Sequence, residues 1–184
     1  MDFSVLGVLE FSSVAVGIRA LDEMVKKAPI KIVDAKTVCP GKYIIVFSGD
    51  VASVEASFKQ GKDAGNGFLV DELFLPMVHE DVAKAIGTVV KIDNWDAAGI
   101  IETYSVIGSI EAGDAAAKAG GVKITEIRLT MGLGGKSYVK MIGSLDAVEA
   151  AMKAGTEAVR KKGLLCMDII LPQPDEQIKS YFYQ

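Results

Sequence analysis

Cys39 stands in the string Cys39-Pro40-Gly41-Lys42, between two apolar segments, and is one of two cysteines in the chain. A thiol at a turn can serve as a soft metal ligand or a redox group, because the thiolate is the form that binds metal or attacks. A single thiolate does not hold an iron–sulfur cubane, which ordinarily takes four. Cys166 lies in Leu164-Leu165-Cys166-Met167, inside a predicted strand, and reads as a small core hydrophobe. His79 is the only histidine, has no visible partner, and reads as a surface residue near a helix start. Glu10 and Glu102 each close an apolar segment in different halves of the chain; they read as structural hydrogen-bond acceptors rather than a general acid–base pair. Met131-Gly132-Leu133-Gly134-Gly135-Lys136 is rich in glycine, but it joins two predicted strands and does not lead into a helix. That context argues against a phosphate cradle. With no Ser/His/Asp set and no metal-spaced cluster, ordinary hydrolytic or transferase catalysis has no support.

The elements that must position these residues are written twice, at a period of about 90 residues, a domain length rather than a solenoid length. Gly7-Val8-Leu9-Glu10 reappears as Gly99-Ile100-Ile101-Glu102, and Asp22-to-Ala28 is echoed by Asp114-to-Gly120. Ile30-Lys31-Ile32 returns as Val122-Lys123-Ile124, Val54-Glu55-Ala56 as Val148-Glu149-Ala150, and Leu75-Pro76 as Leu171-Pro172. The copies disagree most where Cys39-Pro40-Gly41-Lys42 meets the longer Met131-to-Lys136 string.

Within each copy the pattern alternates strand and helix. Phe3 to Phe11 is a short apolar run, and Ser12 or Ser13 can cap a helix from about Val14 to Lys27, with Val14, Ile18, Leu21 and Val25 at helical spacing. Pro29 stops it. A hairpin follows, Ile30–Val38 with Lys42–Ser48, then a helix opened by Asp50 or Ser53 and ending near Ala64, a strand from Phe68 to Leu75, and a short helix from His79 to Ile86. The second copy predicts a strand at Ala98–Thr103, a helix at Val106–Ala119, a hairpin of Val122–Thr130 with Ser137–Gly143, a helix at Leu145–Lys161, a strand at Leu164–Leu171 and a short helix at Asp175–Tyr181. Each copy is β-α-β-β-α-β plus a short helix, which makes a four-stranded antiparallel sheet with helices on one face. The expected domains are 1–91 and 96–184.

Composition narrows the partners. Half of the 184 residues are hydrophobic, aromatics are few, and the net charge is −4. An acidic chain lacks the basic stripe that nucleic acid requires. No apolar run approaches the roughly 20 residues of a membrane helix. The opening Met1-Asp2-Phe3 shows no basic leader region, and two cysteines at unlike positions do not form a disulfide framework. The expectation is a cytoplasmic, acidic α/β protein that oligomerises.

Taken together and in duplicate, these strings resemble bacterial microcompartment shell proteins: the opening Gly-hydrophobic-hydrophobic-Glu, the Asp-x-x-x-Lys-x-(Ala/Gly) helix end, the Gly-Asp or Gly-Ser before Val-Glu-Ala, and the closing Leu-Pro. The resemblance covers nearly the whole chain, in the unpermuted domain order. It is strongest to the tandem-domain shell proteins of propanediol-utilisation compartments, which carry an iron–sulfur cluster in a central pore. The resemblance implies a non-enzymatic shell component: a homotrimer that mimics a hexamer and tiles with other shell proteins. Val38, Pro40 and Gly41, with Met131, Gly132, Leu133, Gly134 and Gly135, would line the pore. Cys39 from three chains would ligate one [4Fe-4S] cluster, for electron transfer across the shell or to an encapsulated redox enzyme. Lys26 and Lys118 would lie at the tile edge. One departure stands out. Many family members have Pro-Arg-Pro-His after the last strand, whereas Pro76-Met77-Val78-His79 and Pro172-Gln173-Pro174-Asp175 lack that arginine. Two other readings stay open: a tile whose pore conducts a small metabolite with no cluster, and a soluble ligand-binding or enzymatic dimer built from duplicated domains.

Overall fold

The computed structural model describes residues 5–93, 95–129 and 132–183. Its elements run β1 (Val5–Phe11), α1 (Val14–Lys27), β2 (Lys31–Val38), β3 (Lys42–Gly49), α2 (Val51–Ala64), β4 (Leu69–Pro76), α3 (Glu80–Ala85), β5 (Ala97–Thr103), α4 (Val106–Ala119), β6 (Lys123–Arg128), β7 (Ser137–Gly143), α5 (Leu145–Arg160), β8 (Leu165–Pro172) and α6 (Glu176–Phe182). The expected order holds throughout. Phe3, at the start of the first predicted strand, and Thr130, at the end of the second hairpin's first strand, lie outside the described residues.

Two antiparallel four-stranded sheets result, ordered β2-β3-β1-β4 and β6-β7-β5-β8. Their registers correspond: Gly7 faces Phe47 where Gly99 faces Met141, and both central strands slip register at the residue after the glutamate, Glu10/Phe11 and Glu102/Thr103. The equivalent positions Lys31/Lys123, Gly49/Gly143 and Pro76/Pro172 lie 92, 94 and 96 residues apart. The second hairpin loop is therefore two residues longer than the first, and α5, at 16 residues against the 14 of α2, accounts for the rest.

The helices form where the capping chemistry allows. Ser13 and Ser105 accept hydrogen bonds from the amides of Val16 and Gly108, and Asp50 accepts from Ser53, so each satisfies an otherwise orphan donor of the first turn. Strand alternation sends Leu9 and Ile101 toward the helices, and Leu6, Val8 and Glu10, or Ala98, Ile100 and Glu102, to the opposite side. On the helix side Leu9 joins Met24, Ile45 and Phe47 in a continuous apolar core. Burial of such side chains stabilises by about 1.5–3 kcal/mol each. A Cβ at Gly61 or Gly155 would meet the side chains of Leu9 at 2.5 Å and Ile101 at 2.6 Å, so the bare helix backbone packs directly on the side chains of the sheet there. In the second sheet Trp95 and Phe182 pack with Ala98 and Ile142 on the side away from α4 and α5.

The chain divides by its contacts into two units, one running to Val78 and joined by the loop at 132–135, the other from His79 onward without that loop. Segment 79–91, placed with the first domain on sequence grounds, thus groups with the second repeat. Ile86 bridges Ile127, Val90 donates to the Thr125 carbonyl, and the His79 amide donates to Asp114.

Candidate functional site

The first hairpin is closed by the pairing of Val38 with Lys42, which leaves Cys39, Pro40 and Gly41 as its tip. Gly41 sits at φ +70°, a left-handed conformation that glycine adopts without steric cost, and the Cys39–Pro40 peptide is cis. Cys39 is half-buried, and Pro40 and Gly41 are exposed. Val38 is 2% exposed, so its side chain belongs to the interior rather than to the tip.

Loop 132–135 lies against this tip. The Gly132 amide donates to Cys39 Sγ at 3.3 Å. Gly135 is buried at φ +91°, and a Cβ there would stand 3.4 Å from the Cys39 carbonyl oxygen and 3.5 Å from Pro40 Cδ. Gly132, Leu133 and Gly134 are exposed. Met131 lies outside the described residues. Sequence reading placed both loops at a shared pore but gave no sign of a hydrogen bond onto the sulfur, since nothing in local periodicity encodes a contact 93 residues away.

In each hairpin a lysine at the start of the return strand, or just before it, meets the glutamate of the central strand. Lys42 Nζ stands 2.7 Å from Glu10 Oε1, and Lys136 Nζ 2.6 Å from Glu102 Oε1. Both are diagonal pairs, Glu10 facing Ile44 and Glu102 facing Tyr138, within reach of a long side chain. The two sites differ in solvent access. The Glu10 side chain is 1% exposed and that of Lys42 17%, against 29% and 39% for Glu102 and Lys136. Burial pushes the Glu10 carboxyl above its usual range, with Lys42 pulling the other way, and the Lys136 ammonium is raised by its hydrogen bond to Glu102. Glu102 accepts hydrogen bonds from Lys136 and Cys166, as expected of a structural acceptor, whereas Glu10 is held by its ion pair with Lys42.

Cys166 departs from the core role expected of it. It occupies the extra position of the β5–β8 register slip, is only half-buried, and donates to Glu102 Oε2 at 3.7 Å. A bulge re-aims one side chain, and here it takes the thiol out of the apolar alternation. The nearby Tyr104 phenol is raised by its hydrogen bond to Cys166. His79 is where it was expected, capping α3 by accepting from the Asp81 amide.

Lys26 and Lys118 both sit near helix ends, each paired with an aspartate one turn back. Lys26 Nζ reaches Asp22 at 2.5 Å and Lys118 Nζ reaches Asp114 at 2.6 Å. The Lys26 side chain is 71% exposed and that of Lys118 43%.

The two repeats also differ in what covers them. On the helix-free side of the first sheet Leu6, Val8, Ile44 and Val46 are fully buried, whereas the matching side of the second sheet is covered by Trp95 and Phe182 at Ala98 and Ile142 and open toward β8. There Ile100, Glu102, Tyr138, Lys140, Met167 and Ile169 line a groove of ≈ 340 Å³. Ile169 is 49% exposed, and its register equivalent Leu73 is 8%. The helices show the reverse: Ile18 and Val25 of α1 are 52% and 45% exposed, and Ile110 and Ala117, their equivalents in α4, are 0% and 4%.

Among the described residues no group of three or more His, Cys, Asp or Glu is arranged to hold a metal ion. Cys39, a half-buried thiol carrying an amide donor, fits a soft metal as one ligand of several; one chain supplies that one thiolate. No helix among the described residues is long and apolar enough to cross a membrane.

Comparison with known proteins agrees with this architecture. The BMC domain family model matches residues 5–78 and again 97–174. The chain is 36% identical over 173 residues to the bacterial microcompartment shell protein PduT of Citrobacter freundii, with 94% of each covered. A crystal structure of a microcompartments protein from Desulfitobacterium hafniense superposes with a TM-score of 0.90 at 40% identity, covering 96% of this chain and 98% of that one. The fused permuted shell protein MSM0275 of the RMM microcompartment shares the fold, with a TM-score of 0.63 at 17% identity over 85% of this chain and 84% of that one. With both repeats matched and relatives aligned over nearly their full length, the chain belongs to the BMC-domain family and is a bacterial microcompartment shell protein with two tandem BMC domains.

Proposed function

We propose that three copies of this chain form a ring that serves as one tile of the shell, with the Cys39 thiolates of the three chains holding a [4Fe-4S] cluster at its centre. The observation that carries the ring is the uneven covering of the repeats. One chain offers an open sheet face, with Ile100, Met167 and Ile169, and an open helix, with Ile18 and Val25, and the counterparts of both are buried. Placing α1 of one chain on the β5–β7–β8 face of the next satisfies both surfaces with a heterologous contact, and such contacts close into rings when the rotation permits.

The ring also explains the cysteine count. Six identical loops would crowd six thiolates together. Two unlike repeats supply one Cys39 per chain and therefore three per ring, leaving one iron without a protein sulfur. A cluster bound there would supply one-electron transfer between the lumen and the cytosol, or to an encapsulated redox enzyme. The chain's own residues do the positioning. The short tip fixes the sulfur at the end of a hairpin, and the buried Glu10–Lys42 pair ties the first residue of the return strand to the central strand.

Solution mass and metal analysis test this. Light scattering should show trimers, and anaerobically purified protein should contain about one cubane per three chains. Cys39→Ser should remove iron, sulfide and visible absorbance together while leaving the trimer, and Cys166→Ser should leave the cluster in place. A stable monomer at all concentrations would refute the ring. Iron retained in full by Cys39→Ser would refute the cluster, and a tile with a metabolite-conducting pore would take its place.

A further inference from the structure

The glycine-rich loop of the second repeat has lost the cysteine of the first, yet it lies on that cysteine. We infer that loop 132–135 is a positioning element for the Cys39 sulfur, with the Gly132 amide as its hydrogen-bond donor and Gly135 as the point of close approach. This rests on the cluster reading for its purpose but not for its geometry.

Two contacts of different kinds carry it. The polar one is the 3.3 Å bond from Gly132 N–H to Cys39 Sγ. The other is packing at Gly135, whose backbone lies so near the tip that a Cβ built on it would stand in ordinary van der Waals contact with the Cys39 carbonyl and the Pro40 ring, at 3.4 and 3.5 Å. Gly134 is the internal contrast: it also has a positive φ, +64° against +91°, but a Cβ there meets nothing within 4 Å. Both glycines relieve backbone strain, and only Gly135 lies against the Cys39 tip. The two residues by which this loop exceeds the first give it the reach to turn an amide toward the sulfur. An amide donor favours a negatively charged sulfur, whether a thiolate or a metal-bound sulfide, and hydrogen bonds to ligand sulfurs are among the factors that set an iron–sulfur potential.

Hydrogen exchange in the metal-free, full-length protein tests the contact directly. In wild type the Gly132 amide should be protected. Cys39→Ala, which removes the acceptor, should speed its exchange roughly three- to tenfold, the scale of one net hydrogen bond. Gly135→Ala should speed it as well, and Gly134→Ala should do so less, because backbone strain at Gly135 falls where the loop packs on the Cys39 tip and strain at Gly134 does not. Equal exchange in wild type and Cys39→Ala would overturn the inference, as would equal effects of the two glycine substitutions. Should Gly135→Ala fail to fold, the Cys39→Ala comparison alone decides. In iron-loaded protein, Gly135→Ala should keep its iron and shift the midpoint potential to more negative values; an unchanged potential would count against the role. Iron retained by Cys39→Ser would defeat the cluster reading, and the exchange result would stand apart from it.

Discussion

The Glu10–Lys42 and Glu102–Lys136 pairs occupy the same place in two copies of one fold, and one is sealed while the other is open. The same contrast runs through the sheet faces, where Leu73 is covered and Ile169 is not, and through the helices, where α4 is covered and α1 is not. Divergence between the repeats is small in backbone and large in surface. A duplicated domain that had merely drifted would leave exposed patches at unrelated positions. Here Ile18 and Val25 of α1, and Ile169 of β8, are exposed where their equivalents Ile110, Ala117 and Leu73 are buried. If the proposed ring forms, these open positions are the ones it would cover.

The sharpest way to break this comparison is to place a charge at equivalent positions of the two sheets. Leu73→Asp should destabilise the chain itself by about 3–5 kcal/mol, the scale of an uncompensated buried charge. Ile169→Asp should leave the isolated chain folded and abolish the trimer. Thermal unfolding and light scattering on the two variants give the answer. If both unfold the chain alike, or if Ile169→Asp still forms trimers, the open face is not the ring contact.

The glutamates sharpen the comparison through pH. The folded Glu10 carboxyl is raised from its usual 4.5, chiefly by burial. A group raised on folding contributes stability that is fully present below its unfolded value and is lost as pH rises through the folded one. The stability of wild type relative to Glu10→Gln should therefore fall as pH rises upward from about 4.5. The loss of the Lys42 partner in the variant adds an offset that stays constant over this range. Urea unfolding of both proteins at a series of pH values measures it, and a difference that grows with pH would reverse the reading.

Most of the fold was legible in the sequence because duplication let each copy check the other. The caps at Ser13 and Asp50, the stop at Pro29 and the turn at Cys39-Pro40-Gly41 are local signals, and local signals survive in one dimension. What escaped was set by long-range geometry. Cys166 reads as a core residue because its neighbours are apolar, and only the register slip beside Glu102 shows that its thiol leaves the core. The Gly132–Cys39 bond and the packing of 79–91 with the second repeat are contacts across distant segments for which no periodicity exists. The candidate site was thus legible as a cysteine in a loop, but not as a cysteine with a donor on it.

The smallest effects are expected at the helix-end lysines, and they separate assembly from folding. Lys118 pairs with an Asp114 side chain that is 7% exposed and also accepts from the His79 amide, so Lys118→Glu sets a second carboxylate beside a buried one. It should cost about 1 kcal/mol. Lys26 pairs with Asp22, a partner 57% exposed, and Lys26→Glu should cost no more than about 0.5 kcal/mol, because solvent screens the repulsion. If the lysines sit at the tile edge, Lys26→Glu should nonetheless weaken the side-by-side association of tiles while leaving trimers intact, since ring contacts and edge contacts are separate surfaces. Electron microscopy of sheets, read beside light scattering of the trimer, measures both. Sheets that form as readily from the Lys26→Glu variant as from wild type would remove Lys26 from the edge, and a trimer that dissociates would place it in the ring contact instead, on the same helix as Ile18 and Val25.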